Sequence, residues 1–397
     1  MSKWIEKELD KLCCIEKGDQ LNKLALEVSG TYPCINGGIE PSGYTEKYNR
    51  VEDTISISEG GNSCGYVNLM KQRFWAGGHC YTLKENSKLV DKIFLYCVLK
   101  YNQEKIMQLR VGSGLPNIQR NALAEYKIYY PEDIEEQKRI ATVLTKTDEL
   151  IEATQKLIDK QKNIKTGLMQ TLLTCGIDDK GVIRSHKTHK FKDSELGQIP
   201  VEWECVELGA YSKSIADGDH MPPPKVEFGI PFVTISNVQN DSIDFSNTMY
   251  VSNDYFSSID AKRKPQKGDV LYTVVASYGI PILMKSNRDF VFQRHIAIIR
   301  PKEDLKSEFL FYYLKSESVL NQAEDAAVGV AQRTISLTSL RAYKIVKPSL
   351  EEQNRIVTIL QQQDQIIKDL ESEKQKYIDI KKGLMADLLS GKVKVST

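Results

Sequence analysis

Two groups of hydrogen-bonding side chains stand at comparable places in the two halves of this 397-residue chain. The first half carries Asn36, Ser42, Tyr44, Asn62, Ser63 and Tyr66, then Gln119 and Arg120. The second carries His220, Ser236, Asn237, Ser277, Tyr278 and Arg294, then Gln332, Arg333 and Thr334. Arginine pairs bidentately with guanine, and asparagine or glutamine with adenine, so loops of this composition can read base edges. Ordinary solvated loops have the same composition, and for any one residue that is the simpler reading. The matching placement of 117–120 and 332–334 favours a binding role at those two.

Catalytic chemistry has no comparable constellation. The run Glu59-Gly-Gly-Asn-Ser-Cys-Gly65 lacks the Gly-Lys-Ser/Thr ending of a phosphate-binding loop and the GxGxxG order of a dinucleotide turn, so a close-packed loop is expected. Met221-Pro-Pro-Pro224 is not the Asn/Asp-Pro-Pro-aromatic tetrad of amino-methyltransferases. His186 and His189 have no cysteine or carboxylate pattern to complete a metal site. His79 and His295 match between the halves and are expected to be buried and hydrogen-bonded. The eight cysteines form no CxxC pair, which points to reduced thiols in a cytoplasmic protein. No catalytic residue and no metal site is expected.

The elements that must position these loops come from a duplication. Residues 135–173 align without gaps to 351–389 at a constant offset of 216, with 17 identities in 39 positions. Glu135-Glu136-Gln137 recurs as Glu351-Glu352-Gln353, and Lys165-Thr-Gly-Leu-Met169 as Lys381-Lys-Gly-Leu-Met385. Weaker matches continue upstream, including Trp4 with Trp203, Gly65 with Gly279 and Ile118 with Ile335. Each preserved block reads as a long helix. Val143, Leu150, Leu157 and Ile164 fall seven apart, as do Leu144, Ile151 and Ile158, and Ile359, Ile366, Leu370, Tyr377, Ile380 and Leu384 make a less regular seam. The two helices are expected to pack antiparallel. Variable blocks alternate strand-like runs such as 54–58 and 269–275 with glycine-rich turns and short amphipathic helices near 91–101 and 307–316. Residues 176–199 have the composition of a linker.

Composition bounds the rest. Hydrophobic residues are 41% and charged residues 27%, an ordinary globular balance, and no apolar run is long enough to cross a membrane. The amino terminus is charged, without the apolar core of a secretory signal. A net charge of +1 neither demands nor excludes nucleic acid, because binding needs a local basic surface only.

The duplicated Glu-Glu-Gln-x-Arg-Ile helix start, the Lys-x-Gly-Leu-Met-x-x-Leu-Leu helix end and the segment Phe191–Trp203 together resemble the specificity subunits of type I restriction-modification systems. The likeness covers essentially the whole chain. It implies an α+β chain of two pseudo-symmetric mixed α/β recognition domains, residues 1–130 and 200–347, separated by two long antiparallel coiled-coil helical regions, 131–175 and 348–397. It also implies that each domain reads half of a split site in double-stranded DNA and that the helices fix the spacing. Two methyltransferase subunits would dock on the helices and restriction subunits would join them. S-adenosylmethionine, ATP and magnesium would then belong to those partners, with no cofactor in this chain. Arg139, Asp148 and Lys165 recur as Arg355, Asp364 and Lys381, and these charges are expected to form two equivalent docking sites. The reading from another class is a coiled-coil adaptor joining two protein-binding modules.

Overall fold

The computed structural model describes residues 3–395 apart from 23, 25, 86, 87, 222, 240, 330 and 331, so part of the Met221–Pro224 run lies outside the described residues. The chain forms two compact units, Met1–Leu157 with Leu370–Thr397, and Ile158–Asp369. Each therefore owns one variable block together with a portion of both long helices.

The duplication goes deeper in topology than in sequence. The first unit holds a four-stranded antiparallel sheet in the order Cys13–Lys17, Cys80–Glu85, Thr54–Ser58, Val67–Met70. In the second unit the order is Ser212–Asp217, Ile296–Pro301, Val270–Thr273, Pro281–Leu283. Each unit adds a three-stranded sheet with one parallel pair, Tyr32–Ile35 beside Trp75–Ala76 in one and Ile230–Val233 beside Val291–Phe292 in the other. Each also pairs a strand opening on the matched segment (Trp4–Glu8, Glu204–Glu207) with the strand before its long helix (Lys127–Pro131, Lys344–Lys347).

Burial explains why the central strands read as continuous apolar runs. Val270 and Tyr272 face one cluster with Phe309, Leu310 and Tyr313 of the helix Ser307–Tyr313. Leu271, on the other face, joins Val233, Phe290 and Phe292. A strand covered on both sides has no polar face to show. Full burial of one such side chain is worth about 1.5–3 kcal/mol.

A buried glutamine accounts for the repeated Glu-Glu-Gln. Gln137 donates to the carbonyls of Leu89 (3.0 Å) and Pro131 (2.8 Å) and accepts from the Asp91 N–H (2.7 Å). Gln353 repeats all three bonds with Asp304, Pro348 and Lys306, at 3.0, 2.9 and 2.8 Å. Both side chains are fully buried, and each ties the start of a long helix to the turn that begins a short one.

The long helices run Ile134–Thr174 and Leu350–Leu388. Partner numbers fall as residue numbers rise, which makes the pairing antiparallel: Asp148 with Lys381 and Gln155 with Lys374 in the first unit, Gln161 with Gln363 in the second. The seam differs from the expected one. Ile140, Leu144, Thr147, Thr154 and Ile158 are buried, as are Ile356, Leu360, Gln363 and Ile367. Leu150, Leu157 and Ile164 remain 49%, 48% and 40% exposed, and Ile366 and Ile380 are 44% and 52% exposed. Two adjacent heptad stripes are apolar, and periodicity alone cannot say which faces the partner helix. The buried one tolerates threonine because Thr147 and Thr154 return their hydroxyls to the carbonyls of Val143 and Leu150, at 2.9 and 2.7 Å.

The stretch read as linker is structured. Phe191–Ser194 and Gly197–Pro200 form a hairpin. Arg184, 6% exposed, pairs with the buried Glu352 at 2.5 Å. Composition missed this because the partner lies 168 residues away.

Candidate nucleic-acid interface

The expected site residues separate into those that face a cleft and those consumed by internal bonds. In the second unit a cleft of about 350 Å³ gathers His220, Arg294, Gln332 and Thr334 with Asp217 and Ser336. Four chain segments meet there: the end of Ser212–Asp217, residues 274–275, the turn at 293–294 and residues 332–337. In the first unit a cleft of about 530 Å³ gathers Asn36, Ser42 and Tyr44.

The loop bearing His220 is held rigidly. Asp219 accepts from Tyr255 Oη (2.9 Å) and from Arg263 Nη2 (2.5 Å), while Arg263 Nε donates to the Asp217 carbonyl (2.9 Å). His220 Nε2 lies 2.8 Å from Asp217 Oδ2. Sequence reasoning passed over this anchor, although the Gly-Asp dipeptide at 218–219 recurs at 18–19. The recurrence has a physical cause. A Cβ on Gly218 would lie 2.0 Å from the Phe292 carbonyl oxygen, and one on Gly18 would lie 2.3 Å from that of Gly77.

Other expected residues are occupied. Tyr278 Oη donates to Glu324 at 2.5 Å, and Arg333 pairs with the same carboxylate. The bond to Glu324 raises the Tyr278 pKa, and the bonds from Tyr278 and Arg333 together lower that of Glu324. Asn237 is buried and caps its own turn, accepting from the Thr234 N–H at 2.9 Å, and Ser236 Oγ lies 2.8 Å from Thr234 Oγ1. Ser277 is exposed outside the cleft, and only its backbone carbonyl is engaged, accepting from Thr273 Oγ1 (2.7 Å). In the first unit Ser63 donates to the Gly37 carbonyl (2.6 Å), Tyr66 lies under the Lys100 ammonium (3.9 Å) and Gln119 donates to Asn117 (2.9 Å). Arg120 donates to the Ile15 carbonyl at 3.2 Å, and Asn62 is exposed outside the cleft. Even Asn36, within its cleft, accepts from the His79 N–H at 3.0 Å.

The glycine-rich loop is close-packed, since Gly65 adopts φ +90° and a Cβ there would meet the Met107 backbone at 2.8 Å. Beside it lies a polar cluster that sequence reasoning also missed. Glu59 accepts from Lys17 (2.6 Å) and from Tyr81 Oη (3.0 Å), and burial together with that bond pushes the Tyr81 pKa up to about 12. His79 is a correction: its side chain is 63% exposed. What it shares with His295 is a backbone role, each carbonyl accepting at 2.9 Å from the residue after a central strand, Glu59 or Val274. His189 turns to Thr188 and Asp178, and the His186 ring packs on Phe191. Among the described residues no group of three His, Cys, Asp or Glu side chains is placed to hold a metal ion.

The duplicated charges have partners inside the chain. Lys165 lies 2.5 Å from Asp364, and Lys381 lies 2.5 Å from Asp148. Arg139 reaches Asp133 at 3.6 Å and Arg355 reaches Asp179 at 2.8 Å. All six charges expected to form two equivalent docking sites thus have partners inside the chain, and four of them bridge the helix pair itself.

Duplicated units with variable polar loops, joined by paired helices, define a two-module recognition chain without an assembled catalytic centre among the described residues. Residues 1–162 and 200–381 match the type I restriction modification DNA specificity domain. The chain belongs to that family of specificity subunits. It is 28% identical over 391 residues to the specificity subunit of the type I restriction enzyme MjaVIII from Methanocaldococcus jannaschii, covering 93% of this chain and 88% of the relative. A putative type I specificity subunit from Mycoplasma pneumoniae is 30% identical over 318 residues, 78% of this chain and 80% of that one. In fold, the chain is similar to the crystal structure of the type I system S subunit from M. genitalium, with a TM-score of 0.65, 23% identity and coverage of 98% and 96%. Among the described residues no helix is long and apolar enough to cross a membrane.

Proposed function

We propose that this chain reads a bipartite site in double-stranded DNA, one half per unit, for a type I restriction-modification complex. The observation that carries the reading is the duplication of one core architecture, down to the glutamine bonds, with different polar loops on each copy. A repeated scaffold with divergent loops suits two readers of unlike half-sites. The reaction chemistry is assigned to partners: methyltransferase subunits bring S-adenosylmethionine, and restriction subunits bring ATP and magnesium.

Two methyltransferase copies would dock on the exposed heptad stripe rather than on the paired charges. Leu150 and Ile380 in the first unit, and Ile164 and Ile366 in the second, each stand one residue before the heptad series that contains Leu144 and Ile158 on one helix and Leu360 and Ile367 on the other. In an antiparallel pair such positions share one flank. The stripe thus supplies one two-residue apolar patch per unit, at equivalent places in the repeat.

The test is to map methylated adenines in cells carrying this chain and its partners. Exchanging residues 1–130 for another variable block should change one half of the methylated sequence only. A change in both halves at once would overturn the two-reader assignment.

A further inference from the structure

Arg294 differs from every other arginine of the second unit. Arg184, Arg263, Arg300, Arg333 and Arg355 pair with carboxylates, and Arg341 donates to the Ile215 carbonyl at 2.6 Å. The Arg288 guanidinium stacks 3.5 Å from the centre of the Phe245 ring. Arg294 is exposed, and among the described residues its guanidinium has no acceptor. Its backbone is nonetheless fixed, since the N–H donates at 3.0 Å to the carbonyl of Asp219, the residue held by Tyr255 and Arg263. A fork of five unspent donors is thus presented from a rigid turn into a cleft.

Resting on the DNA-recognition reading above, the geometry points to Arg294 as the residue that selects a guanine in the second unit's half-site. It would donate bidentately to O6 and N7 in the major groove. A phosphate is the competing target for any free arginine, and the cleft argues against it. Asp217 stands in the same cleft and would repel a phosphate, whereas a guanine–cytosine edge offers a cytosine amino group that tolerates a nearby carboxylate. Val274 and Val275 contribute an apolar lining, which suits the flat edge of a base pair better than a hydrated anion. The assignment is also specific to one half. His79 and His295 occupy equivalent backbone positions, so the counterpart of Arg294 in the first unit is Gly78, which has no side chain to read with.

Selection of the full-length chain against a random duplex library, followed by sequencing, tests this with the wild type, Arg294→Ala and Arg294→Lys. Because the guanidinium has no acceptor among the described residues, both variants should fold as the wild type does. The wild type should enrich a bipartite motif with a required guanine in one half. Arg294→Ala should lose that requirement alone, with affinity for the guanine-containing site reduced about 5- to 150-fold, the worth of one bidentate base contact. Arg294→Lys, which keeps the charge and loses the fork, should relax the same position. A uniform loss on all sequences with a shallower salt dependence would mark a phosphate contact and overturn the assignment while leaving the DNA reading intact. An unchanged motif and affinity in Arg294→Ala would overturn it as well. A wild-type chain that enriches no motif would overturn the parent reading and this assignment together.

Discussion

Reversing one charge in the helix pair should weaken the second unit, and reversing its partner as well should restore most of the loss. Lys165 Nζ lies 2.5 Å from Asp364 Oδ1, and Tyr312 Oη donates to the other carboxylate oxygen, also at 2.5 Å. The two charged side chains are 21% and 40% exposed, so solvent screens the pair in part. Opposite charges about 4 Å apart attract by about 1 kcal/mol in water and by about 4 kcal/mol at an effective dielectric of 20. Discounting for exposure places the coupling at about 1–2 kcal/mol, above a fully exposed bridge. Lys165→Glu replaces attraction by repulsion and should cost about 2–3 kcal/mol. Adding Asp364→Lys restores the opposite-charge pair but deprives Tyr312 of its carboxylate, leaving a deficit of about 1 kcal/mol. Urea unfolding of the wild type, both single variants and the double variant closes the cycle. Coupling below about 0.3 kcal/mol would refute the assigned role. So would a Lys165→Glu chain of unchanged stability that binds one fewer partner copy, an outcome that would return Lys165 to a docking surface.

Gln137→Leu and Gln353→Leu each remove three buried hydrogen bonds and orphan the backbone groups they served. Each should cost about 2–4 kcal/mol in chemical unfolding, with the weaker hydrogen-exchange protection confined to the altered unit. Lys100, whose pKa is lowered to about 8 by burial and by the nearby Lys381 charge, should give a distinctive alkaline profile. Between about pH 8 and the ordinary lysine value the unfolded chain binds the proton and the folded one does not, so this group adds stability as pH rises through that window. Lys100→Met should flatten that rise relative to the wild type in unfolding midpoints measured from pH 7 to 10. Lengthening both long helices by four residues moves one end by about 6 Å and turns it by about 40°. The unmethylated gap between half-sites should then grow by one or two base pairs, and an unchanged gap with methylation retained would mean that the helices do not set it.

Repeats, helix limits and strand runs were legible in the sequence because they rest on local periodicity and on self-comparison. The short helix expected near 307–316 is found at Ser307–Tyr313, and the run at 269–275 contains the strand Val270–Thr273. Long-range pairing was not legible. Nothing local to Arg184 announces Glu352, and nothing local to Asp219 announces Tyr255 and Arg263. The site suffered most from this limit. A polar side chain on a loop can serve the fold or a ligand with equal fitness of type, and Arg294 and Arg333 could be told apart only when the Glu324 carboxylate was seen to take the second.

The repeated charges also bear on why the two helices run in opposite directions. Duplication places an aspartate at 148 and 364 and a lysine at 165 and 381. In a parallel, in-register pair, each residue would face its own copy, aspartate against aspartate and lysine against lysine. Reversing one helix instead brings each aspartate to the other helix's lysine, and both resulting pairs close at 2.5 Å. Polar and charged positions flanking a coiled-coil seam commonly choose orientation in this way, at little cost to the apolar core. The choice matters more here than usual, because the seam that it guides includes Thr147, Thr154 and Gln363 and is only partly apolar. A single duplicated helix sequence thereby favours one direction of pairing, which leaves the surrounding loops free to differ between the two copies.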